Sequence, residues 1–198
     1  SVTIDNTHPS ISSVTFASGD YVNNAEDESA INLVIVTSGV EDGNTVTATL
    51  NSAGYTCSVS SNGCTASITS AGLKGLSDGT AYTFSVAVSD SAGNAATADT
   101  SESFTYDPTP PTMTISSTTV TSGDTSNDAT IALAFASSES TTDLISGDVT
   151  LSAGSIGSTF AGSGTSYTST FTPSGDATYT ISVAAGTFSD AAGNTNTV

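Results

Sequence analysis

The stretch "YTFSVAVSDSAGN" (82–94) returns as "YTISVAAGTFSDAAGN" (179–194), and its reading decides the fold. In both copies, apolar and β-branched residues alternate with small polar ones, the period of a half-buried strand. Both copies then end in one hexapeptide, "SDSAGN" (89–94) and "SDAAGN" (189–194), with five of six residues identical and a spacing of one hundred positions. Asp caps such a turn, and Gly and Asn tolerate positive φ, so the unit reads as strand, turn and return strand. The second copy carries three extra residues before its turn.

Working outward, the same alternation appears in "ISSVTF" (11–16), "INLVIV" (31–36) and "TVTATL" (45–50). It continues in "TIALAF" (130–135), "DVTLSA" (148–153) and "YTSTFT" (167–172). Clusters of Gly, Asn, Asp and Ser separate these runs. One short helical turn is expected at "SAGLKGL" (70–76), and no stretch supports a long amphipathic helix. A second repeat runs in step with the first. "DNTHPSI" (5–11) matches "DPTPPTM" (107–113), and "SVTID" (1–5) matches "SFTYD" (103–107), both at a spacing of 102. The fold class is therefore all-β: two tandem immunoglobulin-like β-sandwich domains joined by a short Pro-containing linker. Residues 1–4 read as the end of a preceding repeat's last strand, 5–106 as the first repeat, and 107–198 as the second, with a short last strand. The 198 residues read as about one period of a longer array. Asp78 and Tyr82 have the spacing of a tyrosine corner, although Gly175 stands where the second copy would place the Asp.

Charge excludes whole classes of partner. Nineteen acidic residues face one basic residue, Lys74, for a net charge of −18. Nucleic-acid binding requires clustered Lys and Arg, and anionic membrane surfaces require the same. No apolar run approaches the length of a membrane span. With one His and one Lys, pairs of nucleophile and base are scarce, and nothing singles out two carboxylates for glycoside hydrolysis, so no enzyme is expected. Cys57 and Cys64 flank "SVSSNG"; they read either as a disulfide across a hairpin, which implies an oxidising compartment, or as half of a metal site without the remaining ligands.

"VTIDNTHPSISSVTF" (2–16), "SGVEDGNTVTATLN" (38–51) and "LSDGTAYTFSVAVSDSAGN" (76–94) resemble the bacterial immunoglobulin-like repeats of very large surface adhesins and biofilm-associated proteins. "SNDATIALAFASSES" (126–140) and "GTSYTSTFTPSGDATYTISVAAGTFSDAAGN" (164–194) resemble a second subtype of those repeats. The Cys57/Cys64 pair departs from the usual repeat. The resemblance implies an extracellular or cell-surface location and a role as a structural spacer supporting adhesion or biofilm formation. It also implies neighbouring repeats of the same chain as partners and Ca²⁺ as the rigidifying ion.

In such a sandwich the F–G turn and the B–C loop face the incoming linker. Asp107, Glu139 and Asp190, with Asn194, are thus expected to share a Ca²⁺, and Asp5, Glu41 and Asp90, with Asn94, to form the matching site upstream. Asp42 is the alternative to Glu41. Carboxylates and amide carbonyls are the hard oxygen ligands that Ca²⁺ accepts in forgiving geometry. The competing reading is that "SDxAGN" is only a good turn. Glu26, Asp27 and Glu28 form either a further acidic end or a solvated loop. His8 reads as a linker residue without a role, and an isopeptide through Lys74 has little to support it. Two other functions stand beside the spacer: a subunit of an extracellular filament, matrix or surface layer, assembled laterally or head to tail with the last strand completed by a neighbour's "SVTI", and a carbohydrate-binding accessory module. The absence of Trp counts against the last.

Overall fold

The alternating runs fold as strands whose inward residues build two separate cores. The computed structural model describes residues 2–158 and 160–198, leaving Ser1 and Thr159 outside the described residues. The chain divides into two compact units, Ser1–Pro108 and Thr109–Val198.

The first unit contains β1 (Ser10–Phe16), β2 (Tyr21–Val22), β3 (Ile31–Ser38), β4 (Thr45–Leu50), β5 (Ala53–Ser58) and β6 (Gly63–Ile68). After these come the short helix α1 (Ser70–Lys74), then β7 (Thr80–Thr83), β8 (Ser85–Ala87) and β9 (Ser103–Tyr106). The sheets run β1-β3-β6, β5-β4-β8 and β2-β9-β7. Along β3, burial alternates without a break, so Ile31, Leu33 and Ile35 face the core while their neighbours face solvent. Val46, Ala48 and Leu50 of β4 do the same from the facing sheet. Phe16 fixes the centre, with its ring 5.0 Å from Phe84 and 4.9 Å from Phe104. Such tilted aromatic pairs add about 1 kcal/mol each beyond the area they bury. The expected run 82–88 is one strand path broken at Phe84, whose N–H donates to Glu102 O at 3.0 Å. Residues 2–4 form no strand, and Val2 and Ile4 are 90% and 80% exposed.

Cys57 and Cys64 are bonded, but not as facing partners in a two-stranded hairpin. Ser60 and Gly63 form a single bridge around Ser61 and Asn62, both at positive φ, the hallmark of a type I′ turn. Beyond that bridge the strands part: Cys57 pairs with Val46 in one sheet and Cys64 with Ile35 in the other. The disulfide therefore ties two sheets together at their edges. Gly63 is required here, because a Cβ would lie 2.8 Å from Ile35 O.

The second unit contains β10 (Met113–Ser117), β11 (Ile131–Thr141), β12 (Val149–Leu151), β13 (Ser155–Ile156), β14 (Ala161–Thr172) and β15 (Ile181–Val183). A 3₁₀ turn at Ser146–Asp148 precedes β12. The sheets run β10-β11-β14-β13 and β12-β15. Phe135, Phe171, Phe188 and Val183 head its core. The three extra residues before the second hexapeptide are absorbed by Asn196, which is 2% exposed. Its Oδ1 accepts from Thr187 N and Phe188 N at 2.7 and 3.0 Å, and its Nδ2 donates to Ala184 O at 2.8 Å.

Both units contain the tyrosine corner. Ser77 N donates to Tyr82 Oη at 2.8 Å, and Ser174 N donates to Tyr179 Oη at 3.0 Å. The contact uses a backbone group five residues upstream, so the exchange of Asp78 for Gly175 leaves it intact. Replacing Tyr82 or Tyr179 with Phe is expected to cost about 1 kcal/mol each, confined to the unit that carries it. Calorimetry checks this, and a loss for Tyr82→Phe alone would contradict it. Replacing both cysteines with Ser is expected to destabilise only the first unit, by about 2 kcal/mol. That corresponds to a drop of about 10 °C in its melting temperature, and an unchanged first transition would refute the role given to the disulfide.

Candidate metal centre

The hexapeptide folds identically in both units. Asp90 N donates to Asn94 O at 3.1 Å and Gly93 N to Asp90 O at 3.1 Å; the second copy has the same bonds from Asp190 N at 3.2 Å and Gly193 N at 3.4 Å. Gly93 and Gly193 sit at φ 92° and 88°, where a side chain is strained. The carboxylate then closes the turn. Asn94 N reaches Asp90 Oδ1 at 2.8 Å and Asn94 Nδ2 reaches Asp90 Oδ2 at 2.9 Å; Asn194 does the same to Asp190 at 2.9 and 2.8 Å. The Asn94 amide, followed by the backbone N–H groups of the turn, outweighs burial and holds Asp90 below the usual carboxylate range. Each oxygen that accepts one such bond keeps a further lone pair.

At this end of the first unit, Asn94 Nδ2 also reaches Asp5 O at 3.1 Å. Glu41 Oε2 accepts from Ser91 N at 2.9 Å and from Asn44 Nδ2 at 3.1 Å. Asp5 Oδ1 turns back to its own Thr7 N at 2.9 Å, and Asp42 Oδ1 accepts from Ser61 N at 2.8 Å. Asp5, Glu41, Asp90 and Asn94 are thus neighbours through hydrogen bonds, with Asp5 joining through its backbone carbonyl. His8, expected to have no role, places Nδ1 2.9 Å from Ala95 O; a carbonyl only accepts, so Nδ1 carries the proton and pins the linker.

Asp107, Glu139 and Asp190 are closer together. Each offers a carboxylate oxygen, these oxygens lie within 4.8 Å of one another, and all three residues are half-buried. Among the described residues this is the grouping of three metal-capable side chains; Asp5, Glu41 and Asp90 do not form another. Asp107 follows β9 directly, at the start of the Pro-containing segment 107–111 that leads into β10. Glu139 lies on β11 where its register against β14 shifts, between Ala136 and Thr141. Asp190 is brought to β11 by its bridge to Thr141.

Sequence reasoning missed Asp143. Its Oδ1 and Oδ2 each accept from Ser189 N at 3.0 Å, and Thr141 Oγ1 donates to Oδ1 at 2.6 Å. Burial opposes the charge, but the bonds from Thr141 and Ser189 prevail and hold Asp143 below the ordinary range. Glu41 and Asp143 are 102 apart, the spacing of the linker aspartates, and each takes a backbone N–H next to its turn aspartate. That offset was the available signal.

Glu26, Asp27 and Glu28 form neither an open acidic end nor a merely solvated loop. Asp27 is 4% exposed and its Oδ2 accepts from Tyr106 Oη at 2.6 Å. Burial first, then this bond, raises the Tyr106 hydroxyl's pKa far above its ordinary value. Lys74 Nζ lies 2.8 Å from Glu28 Oε1 and 3.9 Å from Asp27 Oδ1. Glu26 Oε2 accepts from Asn23 N at 3.1 Å.

The folded-state carboxyls of Asp90 and Asp143 lie below their unfolded value of about 3.9. Their contribution is full above that value and disappears as pH falls through the folded-state values. Melting curves between about pH 6 and pH 2 are expected to fall in acid, with Asp90→Asn flattening the fall in the first unit and Asp143→Asn in the second. Identical profiles for all three proteins would contradict the assignment.

Residues 107–198 match the family described as bacterial Ig-like domain. Among curated proteins, none matches the chain significantly. Similar solved structures include one concerning host cell surface retention of a 1.5-MDa bacterial ice-binding adhesin, at 25% identity and TM-score 0.49. Another is a Ca²⁺-stabilised adhesin that helps an Antarctic bacterium reach out and bind ice, at 24% identity and TM-score 0.46. Each alignment covers 94% of this chain, which spans 60% and 46% of those two adhesin chains. A marsupial T cell receptor aligns at 11% identity over 86% of this chain and 88% of its own, with TM-score 0.29. The likeness to the bacterial Ig-like domain family thus covers residues 107–198 of an all-β chain.

Proposed function

We propose that the chain is a structural spacer of a bacterial surface adhesin, exported from the cell, in which Ca²⁺ at Asp107, Glu139 and Asp190 clamps the segment entering residues 107–198. The observation that carries this reading is the three carboxylates within 4.8 Å of one another in a chain with a single Lys or Arg. That residue, Lys74, is engaged at Glu28. The counter-charge for the cluster therefore has to come from solution. At an effective dielectric of 20, each carboxylate pair at such a separation repels by roughly 3 kcal/mol. A divalent cation turns that repulsion into attraction.

The donor set selects among ions. All-oxygen, all-anionic ligation suits Ca²⁺, whereas zinc would be held by His or Cys. Both cysteines are in the disulfide and His8 is bonded to Ala95 O. When bound, the ion supplies electrostatic cross-linking and no reaction. Asp190 is held for it by Asn194, so the turn and the metal ligand are one device. Binding only to the ordered arrangement stabilises that arrangement by mass action. A clamped entry segment pivots less, which is what a spacer requires in order to project whatever it carries.

Titration calorimetry and small-angle scattering with and without chelator test this. Ca²⁺ should bind the intact chain, Glu139→Gln should weaken binding at least tenfold while leaving the Asp190–Asn194 turn in place, and chelation should broaden the distribution of maximum dimension. No binding at millimolar Ca²⁺, together with unchanged scattering, would overturn the clamp.

A further inference from the structure

We propose that the segment Asp5–Pro9 is latched to the first unit by protein groups alone, with His8 as the bolt, so that its order is independent of Ca²⁺. The segment is held at three points. Asn94 Nδ2 donates to Asp5 O at 3.1 Å, and three residues on, His8 Nδ1 donates to Ala95 O at 2.9 Å. Pro9 is buried, and a Cβ added to Gly39 would lie 3.5 Å from Pro9 Cα. Between the first two points, Thr7 N donates to Asp5 Oδ1 at 2.9 Å, an Asx turn that sets the bend.

Both hydrogen bonds from the segment end on the hexapeptide turn. Asn94 is the last residue of that turn, and Ala95 follows it, bridged to Ser89 across the base. A single exposed bond of this kind contributes little, because water competes for both partners. Two bonds and an apolar contact act together: each one formed lowers the conformational entropy that the next must overcome. Position and direction of the segment are then fixed at once.

The internal repeat shows which residues make the difference. "DNTHP" (5–9) corresponds to "DPTPP" (107–111), so Pro110 stands where His8 does and offers no side-chain donor. Ile31 of β3 corresponds to Ile131 of β11, and by the same offset Gly39 corresponds to Glu139. The pair His8 and Gly39 is therefore exchanged for Pro110 and Glu139. Gly39 brings no carboxylate, and among the described residues Asp5, Glu41 and Asp90 do not form a metal-capable grouping. Glu41 Oε2 already accepts from Ser91 N and Asn44 Nδ2, which occupies both of that oxygen's lone pairs. The cation expected at Asp5, Glu41, Asp90 and Asn94 is not needed once His8 is in place. Positions 8 and 39 thus select a hydrogen-bonded latch where positions 110 and 139 select a cation. That contrast rests on the clamp proposed above; the latch itself does not.

Amide relaxation measured by NMR on the full chain is the test, run at about pH 8 with chelator and again with millimolar Ca²⁺. Thr7 and His8 should give order parameters of about 0.85 in both buffers, the level of a rigid backbone. In His8→Ala the amides of residues 7 and 8 should fall below about 0.6, and Ca²⁺ should restore nothing. The His8 side chain is exposed, so that variant keeps its fold. Long-range correlations within the imidazole should place the proton on Nδ1, as a bond to Ala95 O requires. Mobile Thr7 and His8 in chelator, an unchanged profile in His8→Ala, order regained by that variant on adding Ca²⁺, or the proton on Nε2 would each overturn the proposal. All of these readings come from residues 7 and 8, so an absence of Ca²⁺ binding at Glu139 would overturn the clamp and leave the latch standing.

Discussion

Asp90 to Asn94, and again Asp190 to Asn194, are joined by a pair of hydrogen bonds from one Asn to both oxygens of one carboxylate. This contact closes the turn and returns the chain toward the strand it left. It also fixes where the carboxylate points. In the first unit the same Asn94 holds Asp5 O, tying the linker to the turn. In the second, the turn's bridge to Thr141 brings Asp190 to β11 and hence to Glu139. A turn signal and a ligand signal were competing readings of one hexapeptide; the geometry shows the turn, and in the proposed clamp the same turn presents the ligand.

The scarcity of positive charge sharpens every acidic contact. Lys74 serves Glu28 and Asp27, and Asp27 in turn anchors Tyr106 at the end of β9. Three other carboxylates are held by backbone N–H groups: Ser91 for Glu41, Ser189 for Asp143, Ser61 for Asp42. Backbone donors can stabilise single carboxylates in this way. They do not supply the opposite charge that three carboxylates in one place attract, and this is the ground on which a cation is proposed at Asp107, Glu139 and Asp190.

Strands with strict alternation, such as β3 and β4, were legible because burial on one face imposes a period of two. The tyrosine corner was legible in the first unit and discounted in the second on account of Gly175, although the bond uses the main-chain N–H of Ser77 or Ser174, one residue before the exchanged position. The disulfide pairing was legible; its placement between sheets was not, since a two-residue turn looks the same whether its strands stay paired or diverge. Asp143 was obscured by Glu139, a nearer acidic residue, while the 102-residue offset pointed past it. The alternation of "YTISVA" predicted a strand from 179, but β15 begins at Ile181, because a strand needs a neighbour as well as a pattern.

A crystal structure grown in millimolar CaCl₂ tests the central claim most directly. The account predicts one ion at about 2.3–2.6 Å from oxygens of Asp107, Glu139 and Asp190, with both Asp190–Asn194 hydrogen bonds retained. An ion-free cluster under those conditions, or an ion bound only after Asp190 has released Asn194, would contradict it.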